Sequence, residues 1–366
     1  MPALHSAVEL RLAVPADSQA IGVFLTELSG PLFEERFPGG TAADLYHWKL
    51  FTSPLGEGMA ALALHQGEIV STVTAMPKRI WFAGRERNAF ELGDFFTRQE
   101  FRRRGLFRQL MEQTLREAST RGAELIYVHP NDNAFPLLEK LGFRDMLYLT
   151  ERRYPVPSAV LKRRLGAAGN LARTLGVDAI ARSFAVPPLA GDAIAIEEGS
   201  RFSSEWDILW NRVAPRLSVS LTRTSDFLNW RYVDSPTPFR IWTARRGGAP
   251  CGFAVTFQSQ KTGEGVIIDL FTADVEAGEA ENAIAAALIR QSMLALLEDG
   301  CTSVNCWNIP QLSGGVGRLP LNELLERACP RVNPRRTRVA FYARDARLLD
   351  EAGGIWHLTM GDFDGF

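Results

Sequence analysis

Three consecutive arginines followed by a glycine form the clearest candidate for chemistry in this sequence. Arg102, Arg103, Arg104 and Gly105 directly precede a predicted helix from Leu106 to Ala118. The first N–H groups of a helix have no partner within the helix, and together with the helix dipole they bind phosphate. Gly105 permits close approach of the backbone, and the arginines add positive charge. The turn therefore indicates a site for a ligand that carries a pyrophosphate; a surface turn that only caps the helix is the alternative.

Length and composition limit the class of protein. The chain has 366 residues, of which 46% are hydrophobic and 23% are charged, fractions that are typical of a folded globular protein. A chain of this length predicts two domains. The formal net charge of -1 gives no broad positive field, so we expect no nucleic-acid partner, and any basic site must be local.

The sequence has no clear signal for export, membrane insertion or metal binding. Met1 to Leu12 lacks a basic region followed by an apolar run, and no stretch reaches the roughly 20 apolar residues that cross a bilayer. We therefore expect a cytoplasmic protein without a transmembrane segment. The histidines are scattered and the cysteines lack a common zinc spacing, which predicts no metal site and buried or free thiols at Cys251, Cys301, Cys306 and Cys329.

Apolar periodicity predicts a mixed first half, in which two helices follow an initial strand and antiparallel strands then lead into a helix–strand–helix–strand order. The predicted helices are 17–28, 42–51, 106–118 and 133–141, and the predicted strands are 8–14, 59–64, 68–75, 78–82, 88–97, 125–128 and 143–150.

Residues 154–199 interrupt this order and are predicted to be a linker between a first domain, 1–153, and a second, 200–366. Pro155 and Pro157 lead into a predicted helical stretch, 159–184, that carries several basic side chains. A basic amphipathic helix can lie on an anionic membrane. We favour a helix packed between the domains with its basic face in solvent, so no peripheral membrane contact is expected.

Features of the first half recur in the same order in the second. A tryptophan followed by a basic residue occurs at Trp48 and again at Trp230, an Asp-x-Phe-Thr segment begins at Asp94 and at Asp269, and a helix and a glycine follow each. This order predicts two copies of one fold. The matched residues are Leu45, Trp48, Lys49 and Pro54 with Phe227, Trp230, Arg231 and Pro236, and Asp94, Phe96 and Thr97 with Asp269, Phe271 and Thr272.

The two copies differ directly after this segment. The first copy continues into the arginines and Gly105, whereas the second carries three carboxylates between Ala273 and Ala280. Those carboxylates would repel a phosphate. If the turn binds a phosphate, only the first copy does so.

The segment Glu91 to Phe143 resembles the acyl-CoA-binding core of the GNAT superfamily of acyltransferases. The phosphate loop of that family reads Arg or Gln, two residues, Gly, any residue, then Gly or Ala, and here Phe107 stands in the last place. A second family signature, an Asn-initiated helix that ends in Leu-Gly-Phe, is similar to Asn133 followed by residues 138–143. A Rossmann interpretation fails, since no Gly-x-Gly-x-x-Gly follows an early strand.

The resemblance implies an α/β (α+β) fold of two GNAT-like domains, each a mixed, mostly antiparallel sheet flanked by helices, with no phosphate loop in the second. It implies acetyl-CoA, or another acyl-CoA, as cosubstrate. The pantetheine arm would pair with the strand Leu92 to Thr97, and the thioester would lie where this strand separates from Leu125 to Val128. The implied cofactor-binding residues are Phe95, Phe96, Thr97, Arg102, Arg103, Arg104, Gly105, Leu106, Phe107 and Asn133.

The acid that protonates the leaving thiolate has no clear candidate. Many relatives use a tyrosine at the position that Leu138 occupies here. Tyr127 is a poor substitute, because it belongs to a short strand that is expected to be buried.

The base that deprotonates the amine has two candidates. Relatives often keep a glutamate where this chain has Gly93. Strand alternation places Glu91 on the face of Gly93, so Glu91 is a candidate base, directly or through water, and Asp94 is expected to face the other way in a structural role. His129 lies near the expected thioester and is either a base, a substrate contact or an ordinary loop histidine.

The resemblance implies an N-acetyltransferase that acts on a primary amine of a small molecule or amino sugar. The alternatives are a transferase that uses a longer acyl-CoA or an aminoacyl-tRNA, and a CoA-binding protein without catalysis. The segment Trp356 to Phe366 is predicted to complete the sheet of the second half; the alternative is that its end reaches the cleft of the first. The oligomeric state is left open.

Overall fold

The computed structural model describes residues 8–29, 40–166, 194–273, 282–310 and 316–363. The first half begins with β1 (Glu9–Leu12), a 3-10 turn at Pro15–Asp17, α1 (Ser18–Ser29) and α2 (Ala42–Phe51). It continues with β2 (Met59–His65), β3 (Glu68–Phe82), β4 (Arg85–Thr97), α3 (Leu106–Thr120), β5 (Leu125–Val128), α4 (Phe135–Lys140), β6 (Arg144–Pro155) and α5 (Pro157–Leu165).

The second half repeats much of this order of strands and helices. It opens with β7 (Ile194–Gly199), α6 (Glu205–Val213), β8 (Val219–Leu221) and α7 (Ser225–Leu228), which continues as a π-helical turn at Asn229–Val233. It then runs through β9 (Arg240–Arg246), β10 (Ala249–Gln258), β11 (Glu264–Thr272), α8 (Asn282–Glu298), β12 (Ser303–Asn308), β13 (Val316–Arg318), α9 (Leu321–Ala328), β14 (Arg331–Ala343), β15 (Gly354–His357) and a 3-10 turn at Met360–Asp362.

The strands form one mixed, mostly antiparallel sheet that both halves build together. Its main path is β13, β15, β8, β3, β4, β5, β14, β6, β12, β11, β10, β9 and β7, and β2 joins β3 to β1. The halves exchange strands at the centre, because β14 of the second half lies between β5 and β6 of the first, while β6 pairs with β12 of the second. The sheet therefore continues across the predicted domain boundary.

The segment from Glu68 to Phe82 differs from the prediction. Two separate hairpins are expected from the sequence, but the structure has one long β3 that pairs with β4 over nearly its whole length. Pro77 lies between the β2 ladder, which ends at Ala75, and the β8 ladder, which starts at Ile80. Proline is tolerated at such a place, because a strand residue without a neighbour on one side needs no donor there.

Helix α4 is shorter than predicted and begins differently. Asn133 does not start it; the Asn131 side-chain oxygen accepts the N–H groups of Asn133 and Ala134, at 3.0 and 2.9 Å. The helix itself begins at Phe135, with Pro136 in its first turn. Proline fits that position because its missing N–H would have no helical partner. The prediction that Asn133 initiates this helix is therefore wrong.

Different elements cover the two faces of the sheet around β4 and β5. Alternate residues such as Phe90 and Ile126 pack with α3 through Leu110 and Met111, whereas Tyr127 packs on the other face. On that other face α1 and α2 cover β2 and β3, and aromatic side chains of the second half cover β5. The predicted α3 thus buries one apolar stripe against the sheet, as the i, i+3, i+4 spacing requires.

The two halves also meet through the tryptophans of the sequence repeat. The rings of Trp48 and Trp230 stack with their centroids 4.6 Å apart. Trp48 Nε1 donates to the Trp230 carbonyl at 3.2 Å, and Trp230 Nε1 donates to Thr52 Oγ1 at 3.2 Å. Because both indole N–H groups are satisfied at a buried stack, this contact fixes α2 against the second half.

The predicted linker helix and the predicted last strand have different outcomes. Only Pro157–Leu165 of the linker is a described helix, and the rest of the predicted stretch lies outside the described residues. The predicted last strand forms as β15 and pairs in parallel with β8 and β13, two strands of the second half, and β8 in turn pairs with β3 of the first.

The strand exchange predicts that residues 1–166 do not fold alone. Without β14, both β5 and β6 lose a ladder partner and expose unpaired backbone edges, which promotes aggregation. We expect the isolated fragment to lack a cooperative thermal transition by circular dichroism, and co-expression with residues 194–366 to give a soluble complex. A cooperative, monomeric fragment in size-exclusion chromatography would contradict this expectation.

Candidate functional site

The turn between β4 and α3 has the geometry that the sequence predicts for an anion site. Gly105 adopts a left-handed conformation, with φ of 77°, directly before α3. Arg103 is also left-handed, with φ of 60°, which is uncommon for a residue with a side chain. Two left-handed residues turn the chain sharply from the end of β4 into the helix, so the first N–H groups of α3 face outward from the turn.

A cavity of about 660 Å³ lies in front of this turn. The end of β4, the turn, the first residues of α3 and the loop after β5 line it. Nine of the predicted cofactor-binding residues are among its lining: Phe95, Phe96, Thr97, Arg102, Arg103, Gly105, Leu106, Phe107 and Asn133. Asn131, which the sequence interpretation missed, lines it as well.

Arg104 is the predicted residue that does not line this cavity. Its guanidinium lies over the Phe101 ring, 5.0 Å from the centroid, and donates to the Glu100 carbonyl at 2.9 Å. The side chain is therefore engaged with the 3-10 turn before the loop. Of the three loop arginines, Arg102 and Arg103 line the cavity, and Arg108 of α3 lines it as well.

Strands β4 and β5 separate beside the cavity. Their parallel ladder consists of three pairs and ends where Glu91 lies opposite Tyr127. Beyond that point, Leu92 to Thr97 continue along β3 only. No strand of the described residues pairs with the other side of this backbone, which leaves room for an extended ligand to pair with it.

A bulge in β4 reverses the expected direction of Asp94. The register shifts between Thr72 and Thr74, and Asp94 has a left-handed φ of 49°. Its carboxylate accepts from Lys49 Nζ at 2.6 Å and from Thr74 Oγ1 at 2.9 Å. A Cβ on Gly93 would lie 3.5 Å from that same Thr74 oxygen, so both positions face Lys49. The expectation that Asp94 faces away from Gly93 is wrong, because a bulge breaks strand alternation.

Glu91 lies deeper on the same face, within an ion pair. Its carboxylate is 3.0 Å from Lys78 Nζ, and the two side chains are 2% and 0% exposed. Asp94, whose side chain is 17% exposed, is the more accessible carboxylate on this face. The role of Glu91 as base stays a prediction.

The three other candidate side chains have distinct surroundings. His129 contacts the rings of Trp307 and Phe363, with centroids 5.8 and 5.3 Å away. The Tyr127 hydroxyl donates to the Asp362 carbonyl at 2.7 Å and is buried. Leu138 is fully buried in the core beneath α3. The Tyr127 hydroxyl is thus bound to the backbone at Asp362, and Leu138 has no proton to donate at the site.

Comparison with known proteins places this geometry in a family context. Residues 31–146 match the family described as the acetyltransferase (GNAT) domain. This match covers the part of the chain that holds β4, the turn at Gly105 and α3. No curated protein has a matching sequence.

Solved structures with the same fold extend over both halves of the chain. A protein from Enterococcus faecalis, described as a probable N-acyltransferase, superposes with a TM-score of 0.61 at 12% identity, covering 94% of this chain and 74% of its own. A GCN5-related N-acetyltransferase from Anabaena variabilis has a TM-score of 0.58 at 11% identity, with 92% and 73% covered. The N-myristoyltransferase of Saccharomyces cerevisiae with bound myristoyl-CoA has a TM-score of 0.60 at 10% identity, with 94% and 80% covered.

Two parallel strands of the second half also separate, as β4 and β5 do in the first half. Residues of the second half itself occupy the space between them. The parallel β11–β12 ladder ends where Ile267 lies opposite Cys306. His357 at the end of β15, Thr359 and residues of α9 line the place that follows, where only about 10 Å³ is left. Asp269, the counterpart of Asp94, faces this filled space.

A buried cluster of charges surrounds Asp269. Arg223 donates to Asp269 at 3.1 Å and to both Asp362 oxygens at 3.0 and 3.1 Å, and Tyr232 donates to Asp269 at 2.8 Å. Burial alone would raise the pKa of Asp269, but the charge of Arg223 holds it below its usual value. Burial raises the pKa of Asp362, and the charge of Asp269 adds to this effect against the opposing Arg223. Through Asp362, the cluster anchors residues 359–363 to Arg223 of the second half.

Metal and membrane features were sought among the same residues. No group of three or more His, Cys, Asp or Glu side chains in the described ranges is arranged to hold a metal ion. The four cysteines are buried and form no disulfide. Within the described part of the chain, no helix has the length and apolar character needed to span a bilayer.

His357 gives the fold a testable pH dependence. Burial lowers its pKa to about 3 from the ordinary 6.5, with a further lowering by Arg223 that Asp269 opposes. The imidazole is neutral in the folded state, whereas the unfolded chain takes up a proton below pH 6.5, so its stabilising contribution is present above that pH and falls as the pH falls. The expected slope is up to about 1.4 kcal/mol per pH unit.

We expect the free energy of unfolding to decrease between pH 6.5 and about 5.5, and the His357→Phe variant to show a shallower decrease. Urea titrations at several pH values measure both slopes. Equal slopes in the two proteins would mean that His357 is not the group responsible.

Proposed function

We propose that this chain is an N-acetyltransferase that moves the acetyl group of acetyl-CoA to a primary amine of a small molecule or amino sugar. The cavity at the N-terminus of α3 carries the proposal. It combines an anion-binding turn with the backbone edge of β4, two elements that a nucleotide thioester with a pyrophosphate and an extended arm requires.

The lining of the cavity fits such a ligand. The pyrophosphate would lie on the first N–H groups of α3, where Gly105 has no side chain to block its approach. Arg102 and Arg103 would supply positive charge there. Apolar side chains such as Phe95 and Leu137 suit the arm, and the thioester would reach the point where β4 and β5 separate.

We propose Asp94 as the group that receives the amine. Its carboxylate lies on the face opposite α3, held by Lys49 and Thr74 at the β4 bulge. A partly exposed carboxylate beside the separated strands can bind the ammonium and take its proton before the nitrogen attacks the thioester carbonyl. The carbonyl carbon then forms its bond to nitrogen, and the bond to the CoA sulfur breaks.

Glu91 and His129 are the alternative bases. Glu91 would have to act through water, because it is buried and paired with Lys78. His129 lies at the end of β5 between aromatic rings, which favours a role as a wall of the acceptor cleft.

We further propose that the chain contains two copies of the GNAT fold and that only the first binds a nucleotide. In support, β2–β3–β4–α3–β5–α4–β6 and β9–β10–β11–α8–β12–α9–β14 follow one order apart from the inserted β13, and Trp48 stacks on its counterpart Trp230. The filled separation in the second half supports a stoichiometry of one acyl-CoA per chain.

A longer acyl-CoA is the second candidate donor. The likeness to the yeast N-myristoyltransferase, solved with myristoyl-CoA, covers 94% of this chain and supports this alternative. Release of CoA thiol from acetyl-CoA and from myristoyl-CoA in the presence of the same amines separates the two donors. Faster release from myristoyl-CoA would favour the second.

The two neighbouring arginines of the loop give a matched test of the nucleotide site. Arg103→Ala should weaken acetyl-CoA binding about tenfold, because a charged donor is lost from the lining. Arg104→Ala should change it by less than about twofold, since this side chain lies on Phe101. Isothermal titration with acetyl-CoA and with CoA at fixed ionic strength measures both. Equal losses would contradict this placement of the pyrophosphate.

The choice of base is tested by a second pair of variants. Asp94→Asn should lower kcat about a hundredfold or more while the Kd of acetyl-CoA stays unchanged, because only proton transfer is lost. The matched control replaces the buried ion pair by Lys78→Met with Glu91→Leu, which avoids leaving one buried charge alone. We expect this double variant to retain kcat. A loss confined to the double variant would instead assign the base to Glu91.

A further inference from the structure

The two parallel strands that separate in the second half each keep a neighbour on their outer side. Beyond Ile267 and Cys306, β11 continues along β10, and β12 continues along β6. We call the space between β11 and β12 beyond these two residues the inner space. Backbone groups that face the inner space need partners other than a strand, and the walls of the space must supply them.

Side chains of the walls supply part of what is needed. The Asp269 carboxylate accepts the N–H of Leu270 at 2.9 Å. On the other side, the Asn322 side-chain oxygen of α9 accepts the N–H of Ile309 at 2.8 Å, just beyond the end of β12. Asp269 and Asn322 both line the inner space. They therefore take the place that a neighbouring strand has elsewhere in the sheet.

One polar atom of the walls has no such partner. His357, at the end of β15, lines the inner space, and its Nε2 is buried without a hydrogen bond to any described residue. Burial lowers the pKa of His357 to about 3, so the ring is neutral and each nitrogen donates or accepts one hydrogen bond. A buried polar atom without a partner destabilises a fold, which indicates that a ligand satisfies this one.

The size and the lining of the inner space fit one water molecule. Its volume of about 10 Å³ is what a single water requires, and a larger ligand would not fit. A buried water typically makes about two to four hydrogen bonds. Polar side chains of His357, Asp269, Asn322 and Thr359 line the space and can provide them.

Neither an empty space nor a metal ion suits these walls. Cavities that stay empty are apolar, whereas a carboxylate and an imidazole line this one. Asp269, His357 and Cys306 are of types that bind metals, but Arg223 donates to Asp269 at 3.1 Å and would repel a cation. A hydrogen bond with Cys329, together with burial, raises the pKa of Cys306, so its thiol keeps its proton.

We propose that the inner space is a binding site for one water molecule and that His357 Nε2 holds this water by a hydrogen bond. The water then joins the end of β15 to the wall that β11 and α9 form. The proposal is independent of the acyl transfer proposed above, because the nucleotide cavity lies in the first half. The two strand separations therefore differ in what they accept: an extended ligand in the first half and one solvent molecule in the second.

A high-resolution crystal structure of the wild-type chain tests the site directly. We expect a density peak about 2.7–3.2 Å from His357 Nε2, with at least one further polar contact. A map without this peak would overturn the proposal. A peak with an anomalous signal and ligand distances of about 2.0–2.1 Å would identify a metal ion and overturn it as well.

A pair of histidine variants tests the site in solution. His357→Phe removes Nε2 and enlarges the ring, so the water loses both its partner and its room. Deuteron magnetic relaxation dispersion counts the water molecules that reside for long times inside a protein. The count in His357→Phe should be lower than in the wild type by about one molecule.

The matched control is His47→Phe, which replaces an exposed histidine of α2. Its count of internal waters should equal that of the wild type. Equal counts in the wild type and in His357→Phe would contradict the proposal. The wild-type crystal structure decides the question even where the phenylalanine variant fails to fold.

Discussion

The separation of two parallel strands is the constraint around which this molecule is organised. Backbone N–H and C=O groups need partners, and a strand that leaves its neighbour exposes a row of them. In the first half this happens after Glu91 and Tyr127, and the exposed edge of β4 borders the cavity in front of the turn at Gly105. Near this separation β4 contains the bulge at Asp94, and β14, not β6, is the strand that pairs with β5 on its other side.

The second half meets the same constraint in the opposite way. Its separation after Ile267 and Cys306 is filled by α9 and by residues 357–359. Asp269, which matches Asp94 in the sequence, is consequently surrounded by Arg223, Tyr232 and Asp362 instead of lying at an opening. The same residue type is thus a partly exposed carboxylate paired with Lys49 in one half and part of a closed ionic cluster in the other.

Much of the local structure could be predicted from the sequence. The turn at Gly105, the helix after it and the strand Leu125–Val128 follow from patterns that short-range sterics and burial impose. The side-chain directions at the site could not. Asp94 faces Lys49 because of a bulge, and Arg104 lies on Phe101 because of a preceding turn, and neither leaves a mark in the alternation of residues.

Contacts between distant parts of the chain could not be predicted from the sequence either. The matched tryptophans indicated a repeat, but nothing in their spacing shows that they stack on each other or that Arg231 holds Gly361. Two separate hairpins were predicted over residues 59–97, whereas the end of β3, from Ile80 to Phe82, also pairs with β8, which lies far away along the chain. Such contacts depend on the arrangement of the whole sheet, which a local pattern does not encode.

The exchange of strands at the centre of the sheet also sets an order in time. During synthesis, β5 emerges long before β14. The two strands are neighbours in the finished sheet, where Tyr127 pairs with Phe341. Contacts between residues so distant along the chain form slowly, since the intervening loop must close first. The nascent first half therefore keeps an open sheet edge until β14 has been synthesised, and in that interval a chaperone can bind it.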